Sequence, residues 1–498
     1  MAKLTEPPFP PGSYPVMVVG SGPGGLQTSY SLKRLGIAHA VISRDEGPGG
    51  MFRQYPIFDR LISWTKPNAP TPKGSREGEW YDWNSLLVDD PQDHISIVDF
   101  MNGASEFPTR AEMEQSLAAF TNAHVPVRYG CSWQKTRRAD DGTFVLETSD
   151  GEYRCKAVVF AVGVTEPWKP PTIPGIEEVV HSMELKAPQE YAGKSIYIIG
   201  KGTAAFEIAD GLLPWASQIV LSSPGEAPPS VVTHSLAGIR ARYMQPLEDH
   251  AISGRTVTVL DAATERIERV GSRLLVCLKG TRKPWDMQVE FDEVVAATGV
   301  ATPMLDLPDL GVETISRGGK LPVQNPFWAC PAVPGIYFSG SITQGARGIR
   351  GYGPGAVHGF RYSSRLVAQQ IAKIHFGYTP QRPSLKPGDV TPYLLEEASH
   401  APELWHQRAL LARSVTIDKE LGIFDEGIVP LAHFVDEAAP DGVAVTVFND
   451  EEGDLHPVVY VRADGKVDEH ILESNIMLDF ATPSHHAELD SLLKGMLG

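Results

Sequence analysis

Two glycine-rich turns contain the residues of this chain that are best placed to do chemistry. The first reads G-S-G-P-G-G and has the spacing G-x-G-x-x-G at Gly20, Gly22 and Gly25. The first glycine permits a tight bend, the second lets backbone approach a pyrophosphate, and the third packs a helix on a strand. The helix that begins at Pro23 would add amide donors and partial positive charge. An apolar strand before the turn and an amphipathic helix after it favour a dinucleotide site.

The second glycine-rich turn lies near the middle of the chain and repeats this design. It reads G-K-G-T-A-A, so Gly200, Gly202 and Ala205 take the three positions, Thr203 lies within the turn, and a helix through Ile208 and Leu212 follows. The apolar strand 196–199 leads into the turn. The same phosphate-binding argument therefore predicts a second dinucleotide site.

The strand after the first turn departs from the usual pattern, in which an acidic residue at its end binds the ribose hydroxyls. Strand 38–43 ends at Ser43 and is followed by Arg44, Asp45 and Glu46. Two interpretations are open. Either Ser43 and Arg44 contact the ribose and adenine edges, or Asp45 or Glu46 reaches round to them.

The two turns belong to two similar halves, and this repetition sets the expected architecture. Apolar segments at 158–163 and 294–299 end the halves, and each follows turn-separated segments with the alternation of antiparallel strands. This order predicts an α/β fold with two Rossmann-like dinucleotide-binding domains, one inserted in the other.

The domain boundaries are expected where the composition changes. Residues 1–167 and 292–386 would form the first, discontinuous domain, and residues 168–291 the second, entered through a Pro-rich hinge. Residues 387–498 are predicted to be a C-terminal α+β region with no assigned role. Its expected elements are helices at 393–413, strands at 443–448 and 457–461, and a helix at 487–497. The pair His485-His486 is expected in a polar loop there.

The motifs taken together resemble the flavin-containing and N-hydroxylating monooxygenases, which are class B-type flavoprotein monooxygenases. The resemblance rests on the two turns, on Gly49-Gly50 and on the A-A-T-G segment 296–299. Segments 60–63, 82–87 and 358–362 look closer still to the FAD-dependent oxidoreductase-domain proteins. The likeness covers residues 15 to about 375 and implies a glutathione-reductase-like two-domain flavoprotein.

This resemblance implies which residues hold the cofactors. FAD would lie at the first turn, with further contacts from Gly50, Met51, Gly163, Gly340 and Ser341. Ser341 stands where the family usually has Asp, which removes a negative charge near the flavin. A nicotinamide nucleotide would lie at the second turn, with Thr298 and Gly299 of the A-T-G segment nearby.

The choice between NADPH and NADH depends on charge at the second site. The strand after that turn ends in Ser222 and Ser223, without the acid that would repel a 2′-phosphate. Lys201 in the turn, with Arg240 and Arg242 downstream, favours NADPH. NADH stays open, because the arginines could instead form a solvated face.

The candidate catalytic residues lie in two other segments. The family places an Asn over the flavin where this chain reads L-I-S-W-T-K-P-N, so Trp64 takes that place with Lys66 and Asn68 nearby. Lys66 could hold the nucleotide or a substrate anion, or be an ordinary surface lysine. In the glycine-rich loop 345–355, Arg347 and Arg350 offer planar donors for a carboxylate or phosphate.

Composition narrows the cellular context. A net charge of -17 argues against a nucleic-acid partner, and no apolar run is long enough to span a bilayer. No signal peptide is recognisable, so we expect a cytoplasmic protein without membrane contact, with a homodimer left open. The four cysteines form no Cys-x-x-Cys pair, which predicts buried thiols and neither a redox dithiol nor a metal site.

These observations lead to two functional hypotheses. The first is an FAD-dependent, NAD(P)H-driven monooxygenase that uses O2 through a C4a-hydroperoxyflavin to oxidise a small nucleophilic substrate, with N-hydroxylation of an amine or amino acid as one outcome. The alternative is an NAD(P)H-dependent flavin reductase or dehydrogenase that passes electrons to a small acceptor without inserting oxygen.

Overall fold

The structure is a computed structural model of the chain. It describes residues 7–55, 58, 60–227, 229–230, 238–254, 256–315, 321–346, 348–349, 355–437 and 440–497. The chain divides into two compact units. The first contains Met1–Gly50, Ser63–Val164 and Thr302–Gly498, and the second contains Met51–Ile62 and Thr165–Ala301. Each unit is built on its own parallel strands.

The first unit is centred on a four-stranded parallel sheet. Its strands lie in the order Ile336–Phe338, Ala157–Phe160, Val16–Val19 and His39–Ile42. Nearly every residue of these strands is buried, which is typical of a parallel sheet covered on both faces. Helix Pro23–Arg34 follows strand Val16–Val19, and helix Val357–Phe376 comes after strand Ile336–Phe338. The two helices pack on each other.

A second, mostly antiparallel sheet of this unit has the order Gly12–Ser13, Gly151–Cys155, Phe144–Thr148 and Trp133–Arg138. Strands Phe144–Thr148 and Gly151–Cys155 pair in antiparallel fashion, as the sequence predicts for the turn-separated segments before residue 158. Between the sheets lies one apolar cluster, with Phe144, Tyr153 and Phe160 among its largest buried side chains. Helix Arg110–His124 begins with a capping box, in which Thr109 and Glu112 exchange hydrogen bonds.

The segment 63–106 of the first unit is irregular. Its only regular pieces in the described residues 63–106 are short 3-10 helices at Glu77–Tyr81, Pro91–Asp93 and Ile97–Asp99. Further short elements of the unit come later in the chain: a 3-10 helix at Leu307–Leu310, paired strands at Thr314–Ile315 and Leu321–Pro322, and a 3-10 helix at Gly340–Gly345.

The C-terminal region is an α+β arrangement, as the sequence predicts. Its six-stranded antiparallel sheet has the order Ser384–Leu385, Gly422–Pro430, Leu411–Asp418, Gly442–Asn449, Leu455–Ala463 and Lys466–Ile471. The helices of this region are Pro387–His400, Pro402–His406, Leu431–Asp436 and Pro483–Leu497. The region belongs to the first compact unit.

Two details of the C-terminal prediction are wrong. The helical pattern stops before Arg413, which lies on strand Leu411–Asp418, because the β-branched run Val415–Ile417 favours an extended chain. The pair His485-His486 lies in helix Pro483–Leu497 rather than in a loop. The buried His485 ring contacts the carbonyl oxygen of Glu473 through Nε2 at 2.8 Å, so it has a structural partner.

The second unit is built on a seven-stranded sheet. Its order is Asp286–Phe291, Arg273–Gly280, Val257–Val270, Gln218–Ser223, Ser195–Ile199, Glu293–Ala296 and Val180–His181. The last five pair in parallel, and the first three form antiparallel hairpins. Helices Thr203–Leu212 and Ala241–Ser253 pack on the sheet, and strands Glu166–Pro167 and Val300–Ala301 pair beside it. No helix in the described ranges is long and apolar enough to cross a membrane.

One ion-pair network joins the irregular segment of the first unit to the C-terminal region. Arg76 donates to both carboxylate oxygens of Glu397, at 2.7 and 2.8 Å, and to Glu403 at 2.9 Å. The two carboxylates are 8% and 14% exposed, whereas Arg76 is 43% exposed. Because the acids are shielded from water, this network is worth more than a surface pair.

Replacing Arg76 should therefore destabilise the first unit. Arg76→Ala leaves Glu403 without its cation and leaves Glu397 only Arg413, at 3.7 Å. We expect the free energy of unfolding to fall by about 2 kcal/mol, measured by urea denaturation.

The matched control is Arg137→Ala, which removes exposed pairs with Glu147 and Glu152 on the hairpin sheet. This change should cost less than about 1 kcal/mol. Equal losses for the two variants would contradict the special role of the Arg76 network.

Candidate functional site

Backbone packs so closely around the first glycine-rich turn that its first and third motif glycines have no room for a Cβ. The amide of Gly20 donates to the carbonyl of Ile42 at 2.8 Å, and its φ is +112°. A Cβ on Gly20 would lie 2.4 Å from the carbonyl oxygen of Ala161, and one on Gly25 would lie 2.0 Å from that of Gly20. The turn therefore holds the strand, the helix and the neighbouring strand in close contact.

Gly22 is in the opposite situation. A Cβ on Gly22 would meet nothing within 4 Å, so open space lies in front of this residue. Gly22 is the N-cap of helix Pro23–Arg34, with Pro23 at its first position, no side-chain cap and no acidic residue in the first turn. The amides at this helix end are therefore left for an outside acceptor, as a pyrophosphate site requires.

A contact with the end of the sheet's last strand fixes the turn from behind. A Cβ on Gly24 would lie 2.3 Å from the Cα of Gly340, which has a φ of +78°. Ser339 donates its hydroxyl to the carbonyl of Gly24 at 3.0 Å. Gly24 is absent from the predicted site residues, although its place beside Gly25 signals close packing. Ser341 follows this contact and is half-buried.

A carboxylate, that of Asp45, lies beside the first turn although strand 38–43 has no acid at its end. Ser21 donates to the hydroxyl of Ser43 at 2.9 Å, and Ser43 donates to the carboxylate of Asp45 at 3.2 Å. The carboxylate is thereby brought back to the first turn, two residues later than expected. This favours the interpretation in which Asp45 reaches round, while Ser43 is buried and Arg44 is exposed.

The remaining residues predicted at the first site lie at the bends that follow. Gly50 has a φ of +56°, and a Cβ on it would lie 3.0 Å from the Cα of Gly22. Gly163 has a φ of +72° just after strand Ala157–Phe160. Met51 is half-buried and belongs to the second unit.

The second turn repeats the geometry of the first. The amide of Gly200 donates to the carbonyl of Ser222 at 2.8 Å, and a Cβ on Gly200 would lie 2.5 Å from the carbonyl oxygen of Ala297. Gly202 caps helix Thr203–Leu212 and again faces open space. Ala205 is fully buried at the third position. Both turns thus combine a closed first glycine with an open second one.

The polar side chains near the second turn are mostly engaged with the protein. Thr203 donates to the carbonyl of Gly238 at 3.0 Å, and the buried Ser222 to that of Ala262 at 2.8 Å. The hydroxyl of Ser223 donates to the carbonyl of Gly225 at 3.4 Å. The ammonium of Lys201 is buried against the carboxylate of Asp261, and this bond lowers the pKa of Asp261.

The A-T-G segment at the end of the second sheet is held by two hydrogen bonds. Thr298 donates its hydroxyl to the carbonyl of Trp168 at 2.6 Å, and Gly299 has a φ of +90°. Nε2 of the buried His181 contacts the carbonyl of Gly299 at 2.9 Å, and its Nδ1 accepts from the amide of Met183. His181 therefore carries its proton on Nε2 and shapes the segment.

The candidate catalytic residues fall in different surroundings. Trp64 is half-buried, with its ring centroid 5.4 Å from that of Trp83. Lys66 and Asn68 are exposed, and the ammonium of Lys66 lies 5.3 Å from the centre of the Tyr81 ring. Arg347 and Arg350 lie outside the described residues.

Lys66 also borders a cavity in the first unit. The cavity has a volume of about 180 Å³, and neither Trp64 nor Asn68 lines it. Its polar lining includes Lys66, Lys73, Glu79, Asp82, His94 and Arg361, and its apolar lining includes Pro67, Ala69, Pro72, Tyr81, Leu87 and Val98. The sequence analysis did not find this cavity, because its walls come from separate short segments and one helix.

The inner wall of the cavity contains a buried guanidinium. Arg361 is 1% exposed and donates to the carbonyls of Ser85, at 2.9 Å, and Glu79, at 3.2 Å. Burial raises the pKa of the Glu79 carboxyl, and Arg361 opposes this. Burial also disfavours ionisation of Asp82, but Arg361 and the hydrogen bonds from Ser85 hold its pKa below the ordinary value. The two acids thus differ in proton affinity.

The four cysteines take no part in these sites. Cys131, Cys155, Cys277 and Cys330 are all buried and unpaired. Burial raises the pKa of the Cys155 thiol to about 12, so it is not a thiolate nucleophile. The prediction that the four cysteines are buried thiols is confirmed.

The family of the chain follows from a match to its first two thirds. The family described as pyridine nucleotide-disulphide oxidoreductase matches residues 17–340. The chain belongs to this family. The match includes both glycine-rich turns and ends at Gly340, the residue that packs against the first turn.

The names of two similar proteins are consistent with an oxidoreductase family. The chain is 24% identical over 443 residues to FAD-dependent oxidoreductase domain-containing protein 2 of Mus musculus, which covers 82% of this chain and 65% of the relative. It is 25% identical over 244 residues to the probable indole-3-pyruvate monooxygenase YUCCA9 of Arabidopsis thaliana, covering 46% of this chain and 52% of the relative. The chain thus spans less than two thirds of either relative.

A solved structure supports the fold. The bacillithiol disulfide reductase Bdr of Staphylococcus aureus is 16% identical, with a TM-score of 0.56 over 72% of this chain and 98% of that chain. The predicted two-domain α/β fold and the resemblance to flavoprotein monooxygenases are confirmed. Membership of this pyridine nucleotide oxidoreductase family, and the FAD dependence in the name of the mouse relative, agree with the predicted cofactor pair of FAD and a pyridine nucleotide.

The open glycines give the sharpest test of the two nucleotide sites. Gly22→Ala and Gly202→Ala place a methyl group in empty space, so both variants should fold as the parent does. The methyl group at residue 22 would occupy the space for the first dinucleotide, so we expect colourless protein. The methyl group at residue 202 should leave flavin bound and weaken NADPH binding at least about tenfold, measured by fluorescence titration.

The control is Gly388→Ala, a helical position whose Cβ also meets nothing within 4 Å. It should retain both ligands. Flavin retained in full by Gly22→Ala would contradict the assignment of the first turn.

A buried carboxyl on the helix after the second turn makes stability depend on pH. Glu207 is 9% exposed, and burial raises its pKa from 4.5 to about 7 in spite of the nearby Arg242. The folded state therefore holds this proton more tightly than the unfolded state. The resulting stability is present below about pH 4.5 and is lost as the pH rises through about 7.

Glu207→Gln should remove this dependence. At about pH 8 the variant should be more stable than the parent by on the order of 3 kcal/mol, and at about pH 4 the two should be alike. Urea unfolding of both proteins at the two pH values measures the difference. The exposed Glu248→Gln serves as control and should match the parent at both, whereas a pH-independent effect of Glu207→Gln would refute the assignment.

Proposed function

We propose that the chain is an FAD- and NAD(P)H-dependent monooxygenase that acts on a small nucleophilic substrate. The observation that carries this proposal is the pair of open-glycine turns in a chain whose four cysteines are buried and unpaired. The turns meet the needs of two dinucleotides. Reduction of a disulfide substrate by thiol–disulfide exchange, by contrast, would need an accessible cysteine whose thiolate attacks the disulfide and passes on electrons from the flavin.

The residues at both turns suit the negatively charged groups they would hold. Each helix begins at a glycine with free space in front of it and has no acidic residue in its first turn. Asp45 lies beside the first turn, where its carboxylate can accept from ribose hydroxyls. FAD and the nicotinamide nucleotide, when bound, supply the hydride transfer and the oxygen chemistry.

We favour NADPH over NADH because of the charged residues near the second turn. No acid ends strand Gln218–Ser223, and Arg240 and Arg242 precede and begin the next helix. Lys201 contributes less than the sequence implied, because Asp261 already neutralises it. NADH stays the alternative for this site.

The cavity beside Lys66 is the candidate substrate site. Its lining includes the ammonium of Lys66, which has no ion pair among the described residues, two carboxylates and several apolar side chains, and this suits a small polar substrate such as an amine or amino acid. N-hydroxylation is accordingly the oxygenation that we propose. The similarity to the probable indole-3-pyruvate monooxygenase YUCCA9 supports an oxygenation reaction in general. The substrate in that name is a property of the relative and is not carried over to this chain.

A second function is favoured by one residue. Trp64 stands where the monooxygenase resemblance expects Asn, and its ring lies against Trp83 instead of offering an amide. Without that amide, the chain would act as an NAD(P)H-dependent flavin reductase or dehydrogenase that passes electrons to a small acceptor.

NADPH oxidation by the purified full chain distinguishes the two functions. The assay presents amines, amino acids and sulfides in air and records NADPH consumption, hydrogen peroxide and oxygenated product together. A monooxygenase is expected to consume NADPH in proportion to product, with little peroxide.

An anaerobic arm with a quinone acceptor completes the experiment. NADPH oxidation that proceeds there, but gives no oxygenated product with any substrate in air, would sink the monooxygenase proposal and support the reductase.

A further inference from the structure

The cavity in the first unit has charges of both signs on its lining, and their arrangement points to a ligand. Its volume of about 180 Å³ is below the roughly 300–1,000 Å³ of pockets for drug-sized molecules. We propose that it binds a zwitterion of amino-acid type, with the carboxylate at Lys66 and the ammonium at Glu79. This assignment rests on the proposed function, since it names the substrate class of the same site.

Lys66 is the cation available to a ligand carboxylate. Its exposed ammonium makes no ion pair or hydrogen bond within the part of the chain that the structure describes. Lys73 also lines the cavity, but it is paired with Asp99 at 2.5 Å. Arg361 is held by the carbonyls of Ser85 and Glu79. Lys66 can therefore bind an anion without breaking an existing pair.

Glu79 is the acid available to a ligand ammonium. Its Oε2 accepts a hydrogen bond from the hydroxyl of Tyr362 at 2.7 Å, and no other described residue donates to its side chain. One carboxylate oxygen is thus left over on a residue that lines the cavity. Asp82 is already used, because its Oδ1 accepts from Thr65, Asn84 and Ser85.

Electrostatics at Glu79 make the ammonium a better occupant than a second anion. Burial disfavours the charged carboxyl and raises its pKa, and Arg361 offsets this only in part. A cation beside Glu79 would restore the charged form by direct attraction. The apolar remainder of the lining would contact an aliphatic or thioether side chain; it consists of Pro67, Ala69, Pro72, Leu87 and Val98.

Calorimetric titration of the oxidised full chain tests the assignment without turnover. Leucine, methionine and lysine are the probes, and the tightest of them is compared with the matched acid that lacks the amino group and the matched amine that lacks the carboxylate. We expect binding of at least one amino acid, weakened about tenfold by loss of either group.

Three variants assign the two ends of the ligand. Lys66→Ala should weaken the amino acid and the acid about tenfold and leave the amine unchanged. Glu79→Gln should weaken the amino acid and the amine and leave the acid unchanged. Lys135→Ala, at an exposed lysine of strand Trp133–Arg138, should bind as the parent does.

Two results would overturn the inference: no binding of any of the three amino acids, or parental affinity in Lys66→Ala. Because Lys66 is exposed, Lys66→Ala should fold as the parent does, so this variant decides the question even if Glu79→Gln is unstable. If these titrations fail while NADPH-coupled oxygenation of an amine or sulfide succeeds, the substrate class is wrong and the proposed function stands.

Discussion

Backbone packed directly against backbone is the contact on which this protein is organised. At Gly20 and Gly25, a carbonyl oxygen occupies the space that any Cβ would need, and Gly24 meets Gly340 in the same way. These contacts bring a helix end and three strands of one sheet to a single point. Gly22, between these closed positions, faces open space, and this is where we propose that a pyrophosphate binds.

The C-terminal region completes the first unit rather than standing apart from the site. Arg76 fixes the irregular segment to Glu397 and Glu403, and Trp80 of that segment donates to the carbonyl of His400. Glu79, between these two anchors, lines the cavity. Ion pairs between regions distant in sequence therefore hold the cavity wall in place, and burial of the acids makes them costly to break.

The sequence was informative wherever chemistry is local. Both turns, their strands and their helices follow from short patterns, because glycine spacing and apolar runs report on neighbouring residues. The sequence left two interpretations open for the residues after strand 38–43. The hydrogen bond from the Ser43 hydroxyl to the Asp45 carboxylate is a contact between side chains, which no sequence pattern reports. The cavity and the Arg76 network were not predicted, because each joins segments that are more than 250 residues apart along the sequence. Arg76 and Glu397, for example, are 321 residues apart. The prediction that Arg413 lies in a helix was wrong, because its β-branched neighbours favour a strand.

We propose that two dinucleotides bind at two turns of the same design and exchange electrons. The most direct test is the absorbance spectrum of the purified full chain during anaerobic titration with NADPH. Equimolar FAD whose visible absorbance is bleached by one equivalent of NADPH is the result that this account predicts. Protein that purifies without flavin and takes up none when FAD is added would contradict it.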